Sequence, residues 1–135
     1  MKITLPIRVI GFETDYAGFV SNTRYLEYME RARYALLHST KLSVEGILKT
    51  HGAQPVVHRV EVDYLGFARH EEELEMTVEV VEMKGAKATL VYELTRPSDG
   101  ATLLRARQTL AFLNLRWRPV RVPDIYRAAL MPESV

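Results

Sequence analysis

The stretch FETDYAGFVSNTRYLEYMERARYALL, residues 12–37, sets two carboxylates, Glu13 and Asp15, ahead of a small-residue turn and a long amphipathic segment. A carboxylate so placed can attack an electrophilic carbon, or take a proton from a water that does. The start of a helix supplies the complement, because its first backbone N–H groups lack partners within the helix and its dipole favours negative charge. A carbonyl with its oxygen on those donors and its carbon near Asp15 would be polarised and open to attack. Asp15 lies before the helix rather than inside it, which leaves it free to approach a ligand; base and nucleophile are equivalent at this level. Taken alone, an Asp in a turn more often serves the turn, accepting N–H bonds through its side chain. Glu13 shares the face of Asp15 if the chain there stays extended, and reads as an exposed strand-end carboxylate.

Other chemistries are narrowed by composition. The 135 residues hold no cysteine, which excludes disulfides, thiolate metal sites and a Cys nucleophile. His38, His51, His58 and His70 show no chelating i,i+2 or i,i+4 spacing, so no metal is expected. A net charge of +1 gives no global field for polyanionic nucleic acid, so any anion site must be local. No apolar run approaches the roughly 18 residues a membrane span needs, and the first residues lack a signal-like cleavage site, which points to the cytoplasm.

The elements that must position Asp15 follow from periodicity. Residues 3–13 alternate as a strand, with Pro6 suited to an edge or bulge position. From Asn22, capped by Ser21 or by Asn22 itself, Tyr25, Leu26, Met29, Ala32, Leu36 and Leu37 form one helical stripe. Residues 43–50 fit one or two further helical turns. Four alternating segments follow, Val56–Tyr64, Leu74–Val80, Ala88–Leu94 and Leu104–Phe112, the last three forming an antiparallel meander. Pro119 and Pro123 end the sheet, leaving room for a short amphipathic helix. One domain of this size needs a cover for the apolar face of its sheet, and the long helix is the only element large enough.

DYAGFVSNTRYLEYMERAR, PVVHRVEVDYLGFARHEEELEMTVEV and ARQTLAFLNLRWRPVRVP resemble the hotdog-fold acyl-CoA thioesterases of the 4-hydroxybenzoyl-CoA thioesterase family. The resemblance implies an α+β hotdog fold over residues 1–135, a curved antiparallel sheet of about five strands wrapped around one long helix. It implies hydrolysis of an acyl-CoA or acyl-carrier-protein thioester, without a cofactor, in a homodimer or homotetramer. Such dimers join their sheets edge to edge, with the site between subunits at the helix N-terminus. Carried over by residue, the catalytic carboxylate is Asp15 and the thioester carbonyl meets the backbone N–H of Asn22, which stands where some relatives carry an assisting His. Related hydratases have His five residues after the Asp, where this chain has Val20. A non-catalytic acyl-binding or scaffold protein is the alternative.

Further candidates each have a plain counterpart. His58 falls in register with Val56, Val60 and Val62, facing either an acyl pocket or a buried partner. Tyr25 could flank the acyl group, although an aromatic at this spacing is usually core, as are Tyr28 and Met29. Lys84 and Lys87 bracket Gly85 in a loop where the resembled family often binds the phosphates of coenzyme A; loop lysines are usually just solvated. Arg105 and Arg107 would serve the same end, or pair with Glu73, Glu75 or Glu79 across the sheet.

Overall fold

The sequence alternates on five segments, and a sheet with one apolar face must lay that face on something. The computed structural model describes residues 1–131. The chain forms β1 (Lys2–Arg8), a 3-10 turn (Gly11–Glu13), α1 (Asn22–Ser39), α2 (Val44–His51), β2 (Gln54–Tyr64), β3 (Glu73–Lys84), β4 (Lys87–Arg96), β5 (Ala101–Leu113) and α3 (Asp124–Leu130). The strands lie in the order β1-β3-β4-β5-β2, every pair antiparallel. Leu74, Met76, Val78 and Val80 of β3 share the inner face with Leu90, Tyr92 and Leu94 of β4 and with Leu104 and Phe112 of β5, all buried.

Across that face lies α1. Tyr25, Tyr28, Met29, Ala32 and Leu36, spaced three or four residues apart, are buried against the sheet. Burying a large apolar side chain is worth about 1.5–3 kcal/mol, so truncating Leu36 would cost roughly 2–5 kcal/mol. This is the hotdog arrangement, one long helix wrapped by a curved antiparallel sheet. Leu26 departs from the expected stripe and is exposed. A second cover comes from α3, whose Tyr126 ring packs on Phe112 with centroids 5.1 Å apart.

Two expectations about the strands are corrected. The first strand stops at Arg8, and residues 11–13 turn because the Glu13 side chain reaches back to the Ile10 N–H. In β2 the register with β5 shifts between Val57 and Arg59, so that His58 is an extra residue. Before the bulge Pro55 and Val57 stand opposite Phe112 and Leu110; after it Val60, Val62 and Tyr64 stand opposite Gln108, Ala106 and Leu104. One extra residue therefore exchanges the faces, and His58, expected on the covered face, is exposed. The β3–β4 hairpin forms as expected, with Lys84 opposite Lys87 and Gly85 at φ +60°.

Candidate active site

The segment before α1 folds back on itself as a narrow hairpin. The Ser21 N–H donates to the Glu13 carbonyl at 3.0 Å, Thr14 bridges Val20, and the Asp15 N–H donates to the Phe19 carbonyl at 2.7 Å. Gly18, at φ +84°, turns the tip and donates its N–H to the Asp15 carbonyl at 3.0 Å; the left-handed backbone there favours glycine. The Asp15 carboxylate is exposed, and its Oδ1 accepts the N–H groups of Ala17 (2.9 Å) and Phe19 (3.2 Å). Turn and reaction are thus not rival uses of this residue. One oxygen holds the loop; Oδ2 takes no hydrogen bond among the described residues.

On the other arm of the hairpin α1 begins with Ser21 as an extended N-cap whose side chain makes no capping bond. Asn22 is exposed, and among the described residues no acceptor takes its N–H; the next turn's Arg24 N–H goes to the Ser21 carbonyl at 2.9 Å. The helix start therefore keeps the donors and the positive dipole end that a developing oxyanion needs.

What fixes this hairpin is Glu13, which is buried at 6% exposure rather than exposed as expected. Its Oε1 accepts both the Tyr28 hydroxyl, at 2.8 Å, and the Ile10 N–H, at 3.0 Å. Burial first, and then the carboxylate beside it, push the Tyr28 hydroxyl far above its ordinary pKa, so it stays a donor. The carboxylate two residues before Asp15 thus ties the turn to the first helical turns of α1.

Tyr25 does a parallel job for the loop after β2. It is buried at 3% exposure, and its hydroxyl accepts the Ala68 N–H at 3.2 Å. Burial raises its pKa, and the Ala68 N–H draws it part of the way back. Its ring meets that of Tyr64 edge-on at 5.5 Å, and the Tyr64 hydroxyl donates to the Asn22 carbonyl at 3.4 Å. The same loop is held on the Asp15 hairpin by Phe19 against Phe67 (5.5 Å) and by the Arg69 guanidinium over the Phe19 ring (4.7 Å).

Asp15, Asn22 and Tyr25 therefore gather at one end of the sheet. His58 stands exposed on the β2 bulge, apart from them. Lys84 and Lys87 close the β3–β4 hairpin, whereas the Asp15 hairpin lies by the start of β3; a strand of 12 residues puts roughly 35 Å between those ends. Arg105 pairs with Glu93 of the adjoining strand at 3.2 Å, not with Glu73, Glu75 or Glu79, which lie two strands away on β3.

The hairpin end holds what periodicity alone did not find: an apolar cavity of about 270 Å³ between the second half of α1, the strand ends and α3. Leu37, Val57, Leu110, Phe112 and Tyr126 line it, together with Arg33. The Arg33 guanidinium donates to Gln108 Oε1 at 3.1 Å, and the Tyr92 hydroxyl donates to the same oxygen at 2.5 Å. Burial pushes the Tyr92 hydroxyl up to about 12, with Arg33 pulling the other way. The signal for Gln108 was present: a polar residue on the apolar face of β5, between Ala106 and Leu110.

Comparison with known proteins agrees with this architecture. Residues 11–135 match the family model described as the thioesterase-like superfamily. The acyl-CoA thioesterase YbgC of Haemophilus influenzae is 31% identical over 127 residues, covering 93% of this chain and 92% of the relative. The acyl-CoA thioester hydrolase YbgC of Escherichia coli O157:H7 is 28% identical over 120 residues, 87% of each chain. A 1,4-dihydroxy-2-naphthoyl-CoA thioesterase from Synechocystis superposes with a TM-score of 0.91 at 18% identity, covering 100% of this chain and 99% of that one, and so speaks for the fold. With the Asp15 hairpin set against the uncapped helix start, the family match makes this chain a member of the thioesterase-like superfamily, a thioester hydrolase on the hotdog fold.

Proposed function

We propose that the substrate is an acyl-CoA, or the equivalent acyl-carrier-protein thioester, and that Asp15 attacks its carbonyl or activates the water that does. The observation that carries this reading is the division of labour within Asp15, with Oδ1 holding the hairpin and Oδ2 turned to no protein donor among the described residues. The thioester oxygen rests on the Asn22 N–H, where negative charge growing on it meets the dipole of an 18-residue helix. Thiolate leaves as the carbonyl re-forms, with water supplying the oxygen of the product acid. The YbgC relatives, named for action on acyl-CoA, support the choice of carrier.

The working unit in this reading is a homodimer joined at β2. That strand is a sheet edge and leaves Val57 (46%), Val60 (38%) and Tyr64 (46%) exposed, an apolar row that a monomer has reason to cover. Continuing the sheet across a twofold axis sets the two β2 strands antiparallel, which brings Pro55 and Val57 beside the Tyr64 end of the copy. Because Tyr64 bonds to Asn22, the cavity of one chain then faces the Asp15 hairpin of the other. Hydrolysis of an acyl-CoA panel, read as free thiol beside a light-scattering mass, tests both parts. No thiol release from any acyl-CoA would overturn the activity; a mass of one 15.5 kDa chain would overturn the assembly.

A further inference from the structure

The cavity at the Lys84–Lys87 end combines three features that ordinary packing does not call for. It is large: about 150 Å³ suffices for a benzene ring, so about 270 Å³ admits on the order of ten carbon atoms. It is apolar on nearly every side, but a guanidinium lines it. And that guanidinium has a poor set of partners. Arg33 offers five N–H donors, and its hydrogen bond among the described residues goes to a neutral amide oxygen, Gln108 Oε1, already taken by Tyr92.

A long Arg often lays its stem along an apolar surface and sends its head group into water. Arg33 does otherwise. Its head bonds at 3.1 Å to Gln108, a residue only 5% exposed, and sits 5.6 Å from the Tyr34 ring. Arg33 has no carboxylate within ion-pair distance among the described residues, in contrast to Arg96, which holds Glu72 and Asp99. An alkyl chain filling the cavity would strip water from this cation and give nothing in return. A chain that ended in an anionic oxygen would give the guanidinium its missing acceptor and accept a second bond from the Gln108 amide nitrogen.

We infer that the cavity receives the acyl chain beyond its carbonyl and that Arg33 selects acyl groups of about ten carbons ending in an acidic oxygen, a carboxylate or phenolate. This rests on the thioesterase reading and on the antiparallel β2 contact, which sets the cavity against the helix start of the other chain. Gln108 acts through Arg33 and Tyr92 holds Gln108, so these two are positioning residues.

Two thioesters of coenzyme A matched in carbon count, decanoyl and its counterpart with a carboxylate at the far end, test the inference. The ratio of kcat/KM, acid-ended over methyl-ended, should be about 10 to 100 in the unaltered protein, the value of one charge-assisted hydrogen bond. In Arg33→Met, which keeps the length and removes the charge, it should fall close to one, through KM. A second measurement needs no turnover: calorimetric binding of the free ten-carbon dicarboxylate, expected in the unaltered protein and in Asp15→Asn, and lost in Arg33→Met and in Val57→Trp, which blocks the mouth. Diacid binding that requires Arg33, with neither thioester hydrolysed, would leave the cavity site standing and overturn the hydrolase. Rapid hydrolysis with the same ratio in both proteins, or diacid binding indifferent to Arg33, would overturn the cavity assignment and leave the hydrolase standing.

Discussion

The two ends of the sheet are built on opposite plans. At the Asp15 end the backbone is dense with polar contacts: a hairpin zipped by its own N–H groups, a buried Glu13 bonded to Tyr28, and a loop pinned through Tyr25. At the hairpin end the contacts are apolar and leave about 270 Å³ open, with the charge of Arg33 set into it. Rigidity suits a carboxylate that must meet a carbonyl within a fraction of an ångström, because misplacement there raises the barrier directly. Room suits the part of a substrate that only binds. In the dimer proposed above, rate and selectivity are held by different ends of the sheet and meet across the twofold axis.

The comparison breaks most sharply at Asp15. Asp15→Asn keeps an oxygen that accepts the Ala17 and Phe19 N–H groups, so the hairpin and the melting temperature should survive. Loss of the charge should lower kcat on the order of 10²- to 10⁴-fold with little change in KM. A near-normal kcat would leave Asp15 a turn residue and move the chemistry elsewhere. Next in size is Asn22→Pro. Proline is at home in the first turn of a helix, and Ser21, at φ −66° and ψ 140°, already has the extended backbone that precedes one. The substitution deletes the N–H and little else, so kcat should fall about 10²- to 10³-fold with helix content unchanged by circular dichroism. Full activity would mean that the carbonyl oxygen sits on another donor.

How much of this was legible beforehand depends on the range of the forces involved. The helix stripe from Tyr25 to Leu36 and the alternating strands are local patterns, and an antiparallel sheet covered by one long helix followed from them; the hotdog fold itself came with the family resemblance carried by the motif from DYAG into the helix. His58 was placed on the wrong face because a single bulge exchanges inside for outside, and a bulge leaves no trace in alternation when both neighbours, Val57 and Arg59, suit an edge strand. Glu13 was read as exposed because its partner Tyr28 lies 15 residues on, beyond the small-residue turn and inside α1, and because residues 11–13 turn where a continued strand was expected. Arg33 and Gln108 are 75 residues apart, and nothing local connects them.

The rigid end should also respond at one remove. Glu13→Ala leaves the Tyr28 hydroxyl and the Ile10 N–H buried without their acceptor, a loss of about 1–3 kcal/mol in stability. With the turn no longer tied to α1, kcat should fall roughly tenfold, since Asp15 then samples unproductive positions. Glu13→Gln keeps a carbonyl oxygen for both donors and should restore most of each quantity. If Glu13→Ala unfolds at lower denaturant but keeps kcat, the residue stabilises the fold without positioning Asp15. At the other end the effects should appear in KM. Replacing Lys84 and Lys87 together by Ala should raise KM for CoA esters about 3- to 10-fold at low salt, leave kcat alone, and lose its effect as salt screens the phosphates. An unchanged KM at low salt would direct the search for the phosphate site to other cations.

The smallest effect expected is the one that separates a side chain from its backbone. Asn22→Ala removes an exposed amide for which no hydrogen bond exists among the described residues, and it keeps the N–H assigned to the thioester oxygen. Ala in a first helical turn is at least as favourable as Asn, by up to about half a kcal/mol, so stability should hold or rise slightly. Both kcat and KM should stay within about twofold of the unaltered protein, because no interaction of the transition state has been touched. Set beside Asn22→Pro, the pair isolates one hydrogen atom. A large loss in both variants would assign the work to the Asn22 side chain, and a large loss in the proline variant alone assigns it to the start of the helix.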